Sequence, residues 1–166
     1  MKHIQLCLLL IFNSTLNAYS SETLNNFFSY NLSFVQTSFN NINNVFDKSY
    51  GKFYRNSDNS IKIEINKPFK ETYIVDRTGI EIHDLDFNQK RFIKKDDISN
   101  NLIDFINNGF PKNPSNIEII NERSFKIFED KKIYYFEFLD KNVLQIKYKD
   151  NMNIDTLINF SKSDVN

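Results

Sequence analysis

The stretch GIEIHDLDFNQKRF (Gly79–Phe92) sets His83, Asp84 and Asp86 within four residues. Imidazole and carboxylate groups bind metals and move protons, so this cluster is the first candidate for chemistry. A strand would separate its members, with His83 and Leu85 facing one way and Asp84 and Asp86 the other. A metal would also want further ligands, and the other histidine is His3, far away in sequence. Asp and Asn form turns by bonding their own backbone. The segment therefore reads as the link between two strands rather than as a metal or acid–base site.

No other constellation replaces it. A nucleophilic serine has no histidine partner, the single cysteine is Cys7, and the three glycines are not grouped to cradle a phosphate. Any two carboxylates can meet in a fold, but nothing in the sequence singles out a pair. The expectation is a protein that is not an enzyme and uses no cofactor and no metal.

The elements that carry these residues follow from composition and period. A chain of 166 residues holds one domain with a single core. Its 21 basic and 21 acidic residues balance and form no basic stripe, which argues against nucleic acid as a partner. Residues 1–20 (MKHIQLCLLLIFNSTLNAYS) have Lys2, an apolar run from Ile4 to Phe12, and small residues near Ala18 and Ser20. That run is shorter than the roughly 20 residues a bilayer span needs. It reads as a signal peptide cleaved after Ala18 or Ser20, leaving residues 21–166 as one cysteine-free exported domain.

SETLNNFFSY (Ser21–Tyr30) predicts a short helix with Ser21 as N-cap. Beyond it the dominant period is two. SIKIEINK, ETYIVD, IEIH, SFKIF, IYYFEFL, VLQIKYK and DTLINFS all alternate, and Pro68 stops the first of them. Links such as Glu129–Lys132 and Asp140–Asn142 are too short for parallel crossovers, so the sheet should be an antiparallel meander. One segment departs from this pattern. In DDISNNLIDFINNGF, Ile98, Leu102, Phe105, Ile106 and Phe110 recur at helical spacing, with Asp97 or Ser99 to start the helix and Gly109 to end it.

The strands are too few for a comfortable sandwich. A single strongly curved sheet, closed or half-closed, would line an interior with Phe34, Phe53, Ile61, Ile63, Ile65, Tyr73, Val75, Ile80, Ile82, Phe92, Phe136, Phe138, Leu144 and Ile146. Inward apolar residues usually fill one another as a core. A cavity gains weight here because one helix is available to cover it.

At this point the chain resembles a known family, the LolA carriers of outer-membrane lipoproteins. FFSYNLSFVQT is similar to the family's opening helix-to-strand segment, with Phe34, Gln36 and Thr37 on its motif, and YGKFY to its glycine-led second strand. INKPFKETYIVDRTGIEIHDLDFNQ resembles its proline-led block, with Pro68, Asp76, Gly79, Asp84 and Gln89 in register, and DTLINFSKSDVN its late strand. The resemblance implies a mainly β, unclosed antiparallel barrel with a helical lid over a cavity for lipoprotein acyl chains. It implies a monomer in the periplasm that takes cargo from an inner-membrane ABC transporter and gives it to an outer-membrane receptor. It also implies an arginine tying the lid to the barrel. The family's Arg-Pro pair falls on Ser57-Asp58 here, so Arg55, on the same face of a regular strand, is the substitute candidate. A periplasmic sensor module of the same fold, or a carrier of another amphiphile such as a glycolipid, are the competing expectations.

Overall fold

The computed structural model describes residues 21–40, 44–98, 101–129, 131–150 and 152–163. The expected signal peptide, Cys7 and the possible cap Ser99 lie outside them. Eleven strands run as β1 (Leu32–Asn40), β2 (Val45–Arg55), β3 (Ile61–Lys67), β4 (Glu71–Val75), β5 (Gly79–Asp84), β6 (Gln89–Lys94), β7 (Ile117–Asn121), β8 (Ser124–Glu129), β9 (Lys132–Phe138), β10 (Val143–Lys149) and β11 (Asp155–Lys162). Residues 21–27 are helical (α1), and a second helix, α2 (Asn101–Asn108), follows a 3-10 turn at Lys95–Asp97.

All strands belong to one sheet in the order β6-β5-β4-β3-β2-β1-β11-β10-β9-β8-β7, antiparallel at every pairing. Two meanders fan out from the central β1–β11 pair, which joins the two ends of the domain through Phe34↔Phe160 and Gln36↔Ile158. β6 and β7 form the two edges and do not pair, so the sheet is not closed. It is nevertheless strongly curled. Phe105 of α2 stacks edge-on against Tyr134 of β9, while Asn107, two residues on, reaches the Asp76 carbonyl beside β4. Those strands stand six places apart in the sheet, about 29 Å if it were flat at roughly 4.8 Å per strand. Only a curled sheet lets one helix turn touch both.

Register decides which side chains meet inside. Ile61, Ile63 and Ile65 pair with Val75, Tyr73 and Glu71 on the concave face, and Val75 and Tyr73 in turn pair with Ile80 and Ile82. The next strand corrects one expectation. Ile80 pairs with Ile93, which puts Ile93 on the concave face and Phe92 opposite Glu81 on the convex face, 55% exposed. RFI offers apolar side chains to both faces of β6, so alternation within it cannot fix the phase; the neighbouring strand does. Across the other meander Phe34, Phe160, Leu144 and Phe138 share the face, as do Ile158, Ile146 and Phe136. Gly51 sits opposite Phe34 at a register shift, where a Cβ would overlap the Phe34 ring and the Glu64 carbonyl.

The expected helix at Ser21–Tyr30 ends earlier, and Ser21 lies inside it instead of ahead of it; its hydroxyl donates to the Pro111 carbonyl. Leu24, Phe27 and Phe28 of this segment are buried, and Phe28 packs on Phe53, Phe110 and Phe160 with ring centroids 5.1–5.7 Å apart. β7 (IEIIN) is a strand that the sequence reading did not include.

Candidate functional site: the concave face and its helical cover

The link that opened the sequence reading is built by its carboxylates. Asp84 Oδ1 accepts the Asp86 and Phe87 N–H groups at 3.0 Å each, and Asp86 Oδ2 accepts the Lys70 N–H at 2.9 Å. His83 stands on the other face, with Nε2 3.4 Å from Asn88 Oδ1. Among the described residues no group of three or more His, Cys, Asp or Glu is arranged to hold a metal ion.

The concave face carries the hydrophobic core. Of its expected residues, Phe34, Phe53, Ile61, Val75, Ile80, Ile82, Phe136, Leu144 and Ile146 are buried, and Ile63, Ile65, Tyr73 and Phe138 are half-buried against the core. Sequence reasoning left out Leu32, Ile158 and Phe160, although alternation in DTLINFS carried the signal for the last two. It also left out Phe125, Ile127 and Tyr134, which come from strands that were recognised but whose inward phase was not followed through.

Two helical segments cover this face. Leu102, Phe105 and Ile106 lie one turn apart on α2 and are buried at 3–7% exposure, and Phe110 follows at 3%. Ile98 is half-buried between the 3-10 turn and α2, packed against the same core. Gly109 ends the helix with φ +101°, a backbone region that suits glycine, and its N–H bonds the Phe105 carbonyl at 2.8 Å. The chain can then turn so that Phe110 stacks on Phe28 and meets Phe136 edge-on.

Arg55, the last residue of β2, joins three pieces of backbone. Its guanidinium donates from Nη2 to the Ile106 carbonyl at 2.6 Å, from Nε to the Phe28 carbonyl at 3.4 Å, and from Nη1 to the Asn59 carbonyl at 3.3 Å. The last carbonyls of a helix lack intrahelical partners, and a cation suits that end of the dipole. Partial burial lowers the Arg55 pKa, but an arginine stays charged at any ordinary pH. Ser57 and Asp58, at the positions of the expected Arg-Pro pair, sit in the β2–β3 link, where Asp58 accepts from Ser60.

Polarity changes along the face. Away from the helices the inward positions become Gln36, Ser38, Ser49, Glu71 and Asp84. There the Tyr73 hydroxyl donates to Glu71 Oε2 at 2.6 Å, and burial together with that carboxylate holds its pKa well above the usual phenol range. Among the described residues on this face, no nucleophile–base pair is set out by the hydrogen bonds. The concave face is an apolar core, packed beneath aromatic and aliphatic side chains at the helix end and edged with polar groups at the other. No protein-family model matches the chain, and no characterised protein aligns with it significantly.

Proposed function

We propose that this protein is a carrier that takes the acyl chains of lipidated proteins onto its concave face, moving lipoproteins between the inner and outer membranes of the envelope. The observation that most supports this reading is a short helical cover. A helix of two turns, Asn101–Asn108, packs over the apolar concave face of a sheet that is open between β6 and β7. Its polar ties to the sheet include those of Arg55 and Asn107.

Energetics favour such a device. Each methylene withdrawn from water is worth about 0.8 kcal/mol, so an acyl chain of about 15 methylenes stakes roughly 12 kcal/mol. A trough of Ile, Val, Leu and Phe side chains replaces the bilayer with similar surroundings, so the net transfer is small and reversible. In the empty state α2 supplies the same apolar contacts through Leu102, Phe105 and Ile106, and acyl chains would take their place. The cover then competes with cargo and holds affinity down, as a protein that must release its load requires.

An environment-sensitive acyl probe, such as bis-anilinonaphthalene, tests the reading directly. Its fluorescence should rise on mixing with the purified protein, and a triacylated peptide should displace it. Silence of the probe together with no interaction by the peptide would reject the carrier. Depletion in cells should strand lipoproteins in the inner membrane.

A further inference from the structure

We infer that the end of the barrel opposite the helices is a docking face for an anionic lipid bilayer. The inference stands whether or not the trough carries acyl cargo.

Strand direction sorts the links into two ends. Arg55, Asp76 and Phe138 mark the end held by α1 and α2. The β1–β2, β3–β4, β5–β6, β8–β9 and β10–β11 links gather at the other. Exposed large apolar side chains are divided very unequally between them. Phe46, Phe69, Leu85, Phe87, Ile133 and Met152 stand at the far end, four of them more than 60% exposed, whereas Tyr30, Ile120 and Leu139 stand at the helix end. Single exposed apolar residues need no explanation, but a cluster on adjoining tips does.

Two of those tips are braced to each other. Besides the Asp86–Lys70 bond, the Leu85 N–H donates to the Lys70 carbonyl at 2.8 Å, so Phe69, Leu85 and Phe87 are presented together on one support. The remaining tips border a groove of about 1130 Å³, slightly beyond the roughly 300–1,000 Å³ of common small-ligand clefts. Phe46, Ile133, Tyr148 and Leu157 give it an apolar lining.

Charge points to the occupant. The groove carries Lys131, Lys132, Lys147 and Lys149 against Asp150 and Asp155, an excess of two positive charges. Both carboxylates are engaged locally: Asp150 Oδ1 accepts the Met152 and Ile154 N–H groups, and Asp155 pairs with Lys149 at 3.3 Å. Glu137, 3.9 Å from Lys147, and Glu129, which shares a second groove with Lys131 and Lys132, stand just outside the lining. At the braced tips Lys67 and Lys70 flank the apolar residues, Lys90 pairs with Glu81, and Asp84 and Asp86 cap backbone. Apolar tips beside lysines with long aliphatic stems match the boundary between acyl chains and phosphate headgroups.

Co-sedimentation with vesicles tests this. The wild-type protein should pellet with phosphatidylcholine vesicles containing a quarter phosphatidylglycerol. Phe69→Ser/Phe87→Ser should weaken that binding at least tenfold, and Lys131→Glu/Lys147→Glu should weaken it severalfold, more so at low salt. Both variants alter exposed side chains; circular dichroism and acyl-probe binding, unchanged from wild type, establish that the barrel and trough are intact. Millimolar inorganic phosphate should not release the protein. Absence of wild-type binding, full retention by the Phe69/Phe87 variant, or release by phosphate alone would each overturn the proposal.

Discussion

Arg55 is the residue on which the empty state turns. Its guanidinium reaches the carbonyls of Ile106 and Phe28, so one side chain ties α2 and the turn after α1 to β2. Truncation would leave those carbonyls without that charge-assisted partner. Arg55→Ala should therefore cost about 1–2 kcal/mol in a urea titration. The same change should raise the population of uncovered trough, so acyl-probe affinity should increase up to roughly tenfold even as stability falls. A loss of both would mean that Arg55 serves the fold alone. The phenol of Tyr148 offers a second residue-scale test. Burial, and then the neighbouring Tyr134 and Asp150, push its pKa up to about 12. The folded chain thus holds the neutral phenol more firmly than the unfolded chain, whose tyrosines ionise near pH 10. Stability should hold below about pH 10 and decline as pH rises from there toward about 12, and Tyr148→Phe should flatten that decline in alkaline melts. Arg55 was legible in the sequence only as a neighbour of the expected arginine position. Its partners were not, because backbone carbonyls 27 and 51 residues away carry no signature in side-chain order.

Among the elements, α2 is the one that the proposed carrier role would move. Its apolar stripe was readable from the spacing of Leu102, Phe105, Ile106 and Phe110, and its stop from Gly109, since both signals are local. An eight-residue helix has little stability of its own and persists through the surface it covers. Loading with a triacylated peptide should accordingly speed amide hydrogen exchange in Leu102–Asn108 while β1 and β11, paired on both sides, stay protected. Slower exchange in α2 on loading would contradict a displaced cover. Strand phase was less legible than helix phase. SIKIEINK has a single possible apolar face, whereas RFI in β6 has two, and only the pairing of Ile93 with Ile80 resolves which side chain turns inward. β7 was harder still, since Ile117, Ile119 and Ile120 mix alternation with an apolar pair, and Ile120 is left 45% exposed.

At the scale of the molecule, the antiparallel meander followed from short links. The pairing of β1 with β11 did not, because it joins segments more than a hundred residues apart and depends on the whole sheet curling. That pairing turns two fans of strands into one curled sheet whose ends differ. One end is sealed by α1 and α2 around Phe28, and the other is ringed by exposed tips and a groove. The polarity suits a carrier that meets lipid through one end and keeps the other shut. Cross-linking decides whether the trough itself receives cargo. A triacylated peptide with a photoreactive group at the end of one acyl chain would be irradiated with the protein and the adducts located by mass spectrometry. Labels should fall on the trough, at Ile63, Ile65, Tyr73 and the inward side chains of α2, and unlabelled triacylated peptide should abolish them. Labels confined to the convex face, around Phe92 and Tyr50, would show that acyl chains never enter and would contradict the account.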